Sequence, residues 1–149
     1  MPKWMKNRLV IGLVVFFTAM GIWESRKPRF RPMYQQGAAL YQQQRYLQAL
    51  QQFDRAYGVD PNQVAVVVMM GWSNLKLRRY EEARFYFQRA QRLDPRNPEA
   101  QLGAAFVAWH TGQRLDGNKA QRLAARFPDD PEVRAMAEAA KKQEAGGRR

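Results

Sequence analysis

From Met33 to Ala140 the apolar residues recur at intervals of three and four, and polar residues fill the gaps between them. That is the signature of amphipathic helices. Met33, Gly37, Leu40 and Tyr41 make one series. After a break at Gln43 to Arg45, a second runs through Tyr46, Ala49, Leu50, Phe53, Ala56 and Tyr57. Gly58 and Pro61 end it, as glycine and proline end helices. The many glutamines here (Gln35, Gln36, Gln42 to Gln44, Gln48, Gln51, Gln52) fall between the apolar positions and read as solvated helix surface. Val64 to Met70 is an unbroken apolar run that propensity alone would make a buried strand. Tyr80, Ala83, Phe87, Ala90 and Leu93 mark one face of the next helix, with Glu81, Glu82, Arg84, Arg89 and Arg92 on the others. Asn97-Pro98-Glu99 then predicts a helix start: an N-cap, a proline at the first helical position and a carboxylate near the positive end. Leu102, Ala105, Phe106 and Trp109 share a face of that helix, and Thr111-Gly112-Gln113 is a turn. Ala120, Leu123, Ala124 and Phe127 follow. Asp130-Pro131-Glu132 repeats the capping device before Val133, Met136, Ala137 and Ala140.

The pattern also repeats at long range. Ala49, Phe53, Ala56 and Pro61 return 34 residues later as Ala83, Phe87, Ala90 and Pro95. Arg45-Tyr46 returns as Arg79-Tyr80, and Gly37 as Gly71. A fixed period of this length marks an array of stacked units. The register also decides the fate of Val64 to Met70: it precedes Gly71 as helical residues precede Gly37, so helix is expected.

These residues resemble the tetratricopeptide repeat (TPR) family, in which paired antiparallel helices carry small residues at fixed points and a proline closes the unit. The small residues permit close approach: Gly37, Gly71 and Ala105 within a unit, Ala49/Ala83 and Ala56/Ala90/Ala124 between helices, with Phe53 and Phe87 filling the space between units. The third unit departs from the pattern. Gly117 stands where alanine is expected, Gln121 where an aromatic is expected, and one residue is missing before Pro128, so its second helix is expected to start late or pack loosely. The resemblance implies an all-α solenoid of about three units (30–63, 64–97 and 98–130) with a capping helix at 131–143 and a flexible tail at 144–149. A terminal helix with a polar outer face, here Arg134, Glu138, Lys141 and Lys142, stops such an array from growing.

The family's first helices line a groove that holds peptides. Carried over by position, the groove candidates are Tyr34 and Tyr41, then Trp72 and Lys76, then Phe106 and Trp109. Tryptophan and tyrosine are frequent interface anchors. The structural alternative is that Phe106, like Leu75 and Leu102, packs between helices. Some family members grip a terminal carboxylate with Lys, Asn and Arg side chains. Tyr34 and Ala38 occupy two of those places, so that type of docking is not expected.

Upstream, Leu9 to Trp23 contains no charge, and basic residues stand on both sides. Fifteen residues fall just short of a typical membrane span, but Trp4 and Met5 extend the apolar length if Lys6 and Arg8 snorkel. Trp4 and Trp23 sit where interfacial anchors belong, followed by Arg26, Lys27, Arg29 and Arg31 as a basic membrane-interface flank. The expected layout is a basic tail (1–8), a single-pass transmembrane helix (9–23) and a basic linker (24–32) before the repeat domain (33–143). A cleaved signal peptide ending near Ala19-Met20-Gly21 is the competing reading. The basic flanks nearly balance, so the positive-inside rule selects neither orientation.

Composition narrows the function. The net charge is +12, and residues 1–31 hold seven basic residues against Glu24 alone. Elsewhere basic and acidic residues intermix, so nucleic acid is not the expected partner. There is no cysteine and one histidine, His110, which reads as a surface or capping group. Hydroxyls are scarce, and most catalytic constellations lack their parts. No enzyme activity, metal or cofactor is expected. The sequence instead predicts a membrane-tethered adaptor or scaffold for a protein or peptide partner. Its alternatives are a structural subunit of a larger membrane complex, or an electrostatic binder of anionic lipid or nucleic acid.

Overall fold

Three-residue turns joining helices of 13 and 14 residues force each pair to fold back on itself, and that is the plan of the molecule. A computed structural model describes residues 30–146 as seven helices. They are α1 (Phe30–Gln42), α2 (Tyr46–Val59), α3 (Val64–Lys76), α4 (Tyr80–Leu93), α5 (Pro98–His110), α6 (Gly117–Arg126) and α7 (Pro131–Gly146). Each helix packs on the next, and α3 also touches α1 and α5, so the odd-numbered helices form one layer. The expected transmembrane helix at 9–23, with Trp4, Trp23, Arg26, Lys27 and Arg29, lies outside the described residues. Among the described residues no helix is long and apolar enough to cross a membrane.

The strand-like run Val64 to Met70 is helical, with Val66, Val67, Val68 and Met70 buried. Packing on two sides overrides its β-propensity. Two polar residues of this apolar helix are buried as well, and both satisfy themselves locally. Ser73 Oγ donates to the Met69 carbonyl at 2.7 Å and Asn74 Nδ2 to that of Met70 at 2.9 Å.

Two phenylalanines carry the core between helix layers. Phe53 and Phe87 are both fully buried. Each ring lies where a Cβ on the preceding helix would stand, 2.6 Å from a Cβ at Gly37 and 2.7 Å from one at Gly71. Only glycine leaves that space. Phe87 is clamped from a second side by Gly103, whose Cβ would collide with the same ring atoms still more severely.

The turns repeat as well. Gln44 and Arg78 adopt left-handed φ values of 60° and 59°, and Gly112, at the same place in the third unit, has φ 70°. A residue in this conformation lets the chain reverse after the first helix of each unit. Backbone hydrogen bonds close all three: Arg45 N donates to the Leu40 carbonyl, Arg79 N to that of Asn74 and Gln113 N to that of Ala108.

The ends differ from the sequence layout. α1 begins at Phe30, inside the segment assigned to the linker. Pro32 is tolerated there because the first-turn amides of a helix have no intrahelical acceptor. α6 is the irregular helix, at ten residues, and it barely touches α5 while packing on α7. Its N-terminus is capped twice. The Asp116 side chain accepts from Lys119 N at 2.9 Å, and the Gly117 amide donates to Glu144 Oε1 at 2.9 Å. A Cβ on residue 117 would lie 2.5 Å from that carboxylate, so the glycine makes room for the capping contact. α7 accordingly runs past residue 143 to Gly146.

Candidate peptide-binding groove

Helices α3, α5 and α7 converge on a cleft of about 330 Å³. Its walls are Trp72, Leu75 and Lys76 from α3, Phe106 and His110 from α5, Arg78 from the α3–α4 turn, Tyr80 from the start of α4, and Glu132 from the first turn of α7. Helical spacing explains the α3 and α5 contributions: residues four apart stand one above the other on a helix face.

The aromatic side chains hold one another in place. Trp72 meets Phe87 edge-on at 5.2 Å and Phe106 at 5.9 Å. The His110 ring stacks on Tyr80 at 5.8 Å and 19°, and Trp109 leans on both Phe106 and His110. The indole N–H of Trp72 donates to Glu99 Oε2 at 3.2 Å. Trp72 is therefore half-buried, with its polar edge already oriented.

Tyr41 stands on α1 and does not line this cleft. Its hydroxyl pKa is pushed up to about 12, chiefly by burial, then by Tyr46 and by the carboxylates of Glu99 and Glu132. The protonated tyrosine is thus favoured by the folded state. Its stabilising contribution is complete below the ordinary tyrosine value near 10 and is lost as pH rises toward about 12. Burial also raises Tyr86, so an ultraviolet titration of tyrosinate should show late-ionising phenols, the latest of which is absent in Tyr41→Phe. Normal titration of all six tyrosines would contradict this environment.

The six sequence-derived candidates separate here. Trp72, Lys76 and Phe106 line one cleft. Phe106 is only 3 % exposed, so it forms the floor and not a projecting anchor. Trp109 stands behind that wall, against the core. Tyr34 packs on Phe53 at 5.9 Å and contributes to the first unit's core. Tyr41 lies against Tyr46 with ring centroids 5.1 Å apart. Of the proposed membrane-interface residues only Arg31 falls in the described region, exposed in the first turn of α1. Sequence reasoning missed Arg78, Tyr80 and Glu132. It read the last as a helix-capping carboxylate, and no periodic signal joins Arg78 or Glu132 to the groove.

The fold and a sequence match agree on what this array is. Residues 40–101 match the family described as tetratricopeptide repeat. No curated protein matches the chain in sequence. Among solved structures, the TPR domain of Arabidopsis OM64 superposes with a TM-score of 0.67 at 14 % identity, covering 76 % of this chain and 94 % of that one. The Yersinia enterocolitica type III secretion chaperone SycD, in complex with a peptide of the translocator YopD, gives 0.64 at 18 %, covering 76 % and 93 %. The second TPR domain of human RPAP3, in complex with an HSP70 peptide, gives 0.61 at 16 %, covering 73 % and 92 %. Residues 40–101 are therefore similar in sequence to the tetratricopeptide repeat family, and the helices on either side continue the same fold.

Proposed function

We propose that the protein is an adaptor that holds a peptide segment of a protein partner against Trp72, and that Leu9 to Trp23 tethers it to a membrane. The cleft built from α3, α5 and α7 carries the first part. It offers an aromatic floor, a pre-oriented indole, and charge of both signs at its rim in Lys76, Arg78 and Glu132. The peptides held by SycD and by the RPAP3 domain support a peptide as the class of ligand. An apolar side chain seated against the exposed part of Trp72 would supply most of the affinity, since aromatic anchors dominate interfaces. The uncharged run between two basic flanks supports the tether.

One experiment addresses both parts. A photo-crosslinker placed at Lys76 in the full-length chain should give a protein adduct that sediments with membranes. Trp72→Ala should weaken that adduct at least about ten-fold, in the range of an interface hot spot. Retention of the adduct by Trp72→Ala would remove the groove assignment. Adduct found in the soluble fraction would remove the tether.

A further inference from the structure

We propose that a second cleft, between α4, α5 and α6, binds a phosphate-bearing anion. It has a volume of about 540 Å³ and is lined by Gln91, Pro95, Gln101, Lys119, Arg122, Leu123 and Arg126, so it shares no residue with the groove at Trp72. Three of its walls are cationic and none is a carboxylate.

The arrangement works against the helix that carries it. Lys119, Arg122 and Arg126 lie three and four residues apart on one face of α6, where like charges repel. Lys119 also stands in the first turn, which holds no acidic residue and where the helix dipole disfavours a cation. The two carboxylates at this end are engaged as caps: Asp116 accepts from the Lys119 backbone amide and Glu144 from that of Gly117. Neither lines the cleft. An anion seated among the three side chains would relieve both penalties at once.

The walls are set before any ligand arrives. Gln91 Nε2 donates to the Ala100 carbonyl at 3.0 Å and Gln101 Nε2 to that of Pro95 at 2.8 Å, which ties α4, the connecting loop and α5 together. Leu123, 4 % exposed, closes the floor from α6. Two guanidinium forks beside one ammonium suit the several oxygens of a phosphate better than a single carboxylate. A single-stranded nucleic acid is a poor fit, because no aromatic side chain lines the cleft to stack on a base. The phosphate can belong to a soluble molecule or to a lipid headgroup, and the chemistry of recognition is the same.

The test is calorimetric titration of the full-length chain, held in zwitterionic detergent micelles, with inorganic pyrophosphate. The double variant Arg122→Gln/Arg126→Gln should bind at least about ten-fold more weakly, as loss of charge-assisted contacts predicts. The control Arg55→Gln/Arg134→Gln removes the same charge from exposed positions outside the cleft and should change affinity less than about two-fold. Glutamine is as good a helix former as arginine, so both variants should keep the fold. Equal weakening in both, or no binding by the unmodified chain up to about 10 mM, would overturn the site. Micelles doped with phosphatidylinositol phosphate distinguish the sources. Competition with pyrophosphate identifies a headgroup site, whereas pyrophosphate binding without competition identifies a soluble phosphate ligand.

Discussion

Phe87→Ala is expected to cost about 3–5 kcal/mol, as removal of a fully buried phenylalanine generally does. Its ring has no exposed surface, meets Trp72 edge-on at 5.2 Å and sits between the glycines of two successive units. The void left behind would not collapse easily, because Gly71 and Gly103 bring backbone, not flexible side chain, to its edges. In a stacked array each unit is stabilised mainly by its neighbours. Losing this ring therefore uncouples α3–α4 from α5, and the groove would loosen with it. Against a total stability of about 5–15 kcal/mol, such a loss should lower the urea midpoint by at least about a fifth. Phe53→Ala removes the same ring from the first unit, where the glycine contact is Gly37 alone, and should cost less. A loss below about 1 kcal/mol for Phe87→Ala would contradict the packing described here.

How much of this was visible in the residues depends on whether a feature repeats. Gly37, Gly71, Phe53 and Phe87 stand in register, so the close contact between the two helices of a unit could be read directly from the 34-residue echo. The same register turned Val64 to Met70 from strand to helix. Gly103 breaks the register, since Met69 stands 34 residues before it, and its contact with Phe87 carried no sequence signal. The Gly117–Glu144 contact spans 27 residues between two irregular elements and was equally hidden. For the groove, periodicity identified the face shared by Phe106 and Trp109 but not its depth. Phe106 is floor, and Trp109 is backing. Arg78 and Glu132 reach the cleft from a turn and from the start of the next helix, where neighbours in space are not neighbours on one helix face.

Gly103→Val should be the second most damaging change, at about 3 kcal/mol or more. Adding even one methylene to a full core typically costs about 1–3 kcal/mol, and valine adds two carbons beyond the first clash. The Cβ alone would overlap three atoms of the Phe87 ring, which is packed on every side and has no alternative place to go. The helices α4 and α5 would have to separate, opening the core around Leu102, Phe106 and Val107. Helix propensity predicts the opposite sign for Gly103→Ala, because alanine in a helix interior is favoured by about 1 kcal/mol. Gly58→Ala isolates that term: Gly58 is also helical, but a Cβ there meets nothing within 4 Å, so the substitution should stabilise by about 0.5–1 kcal/mol. Chemical denaturation of the two alanine variants side by side should therefore move the midpoint in opposite directions. Adding Phe87→Leu to Gly103→Ala should recover part of its loss, since two residues in direct contact do not behave additively. If Gly103→Ala is as stabilising as Gly58→Ala, the clamp on Phe87 does not exist, and the junction between the second and third units must be held by other contacts.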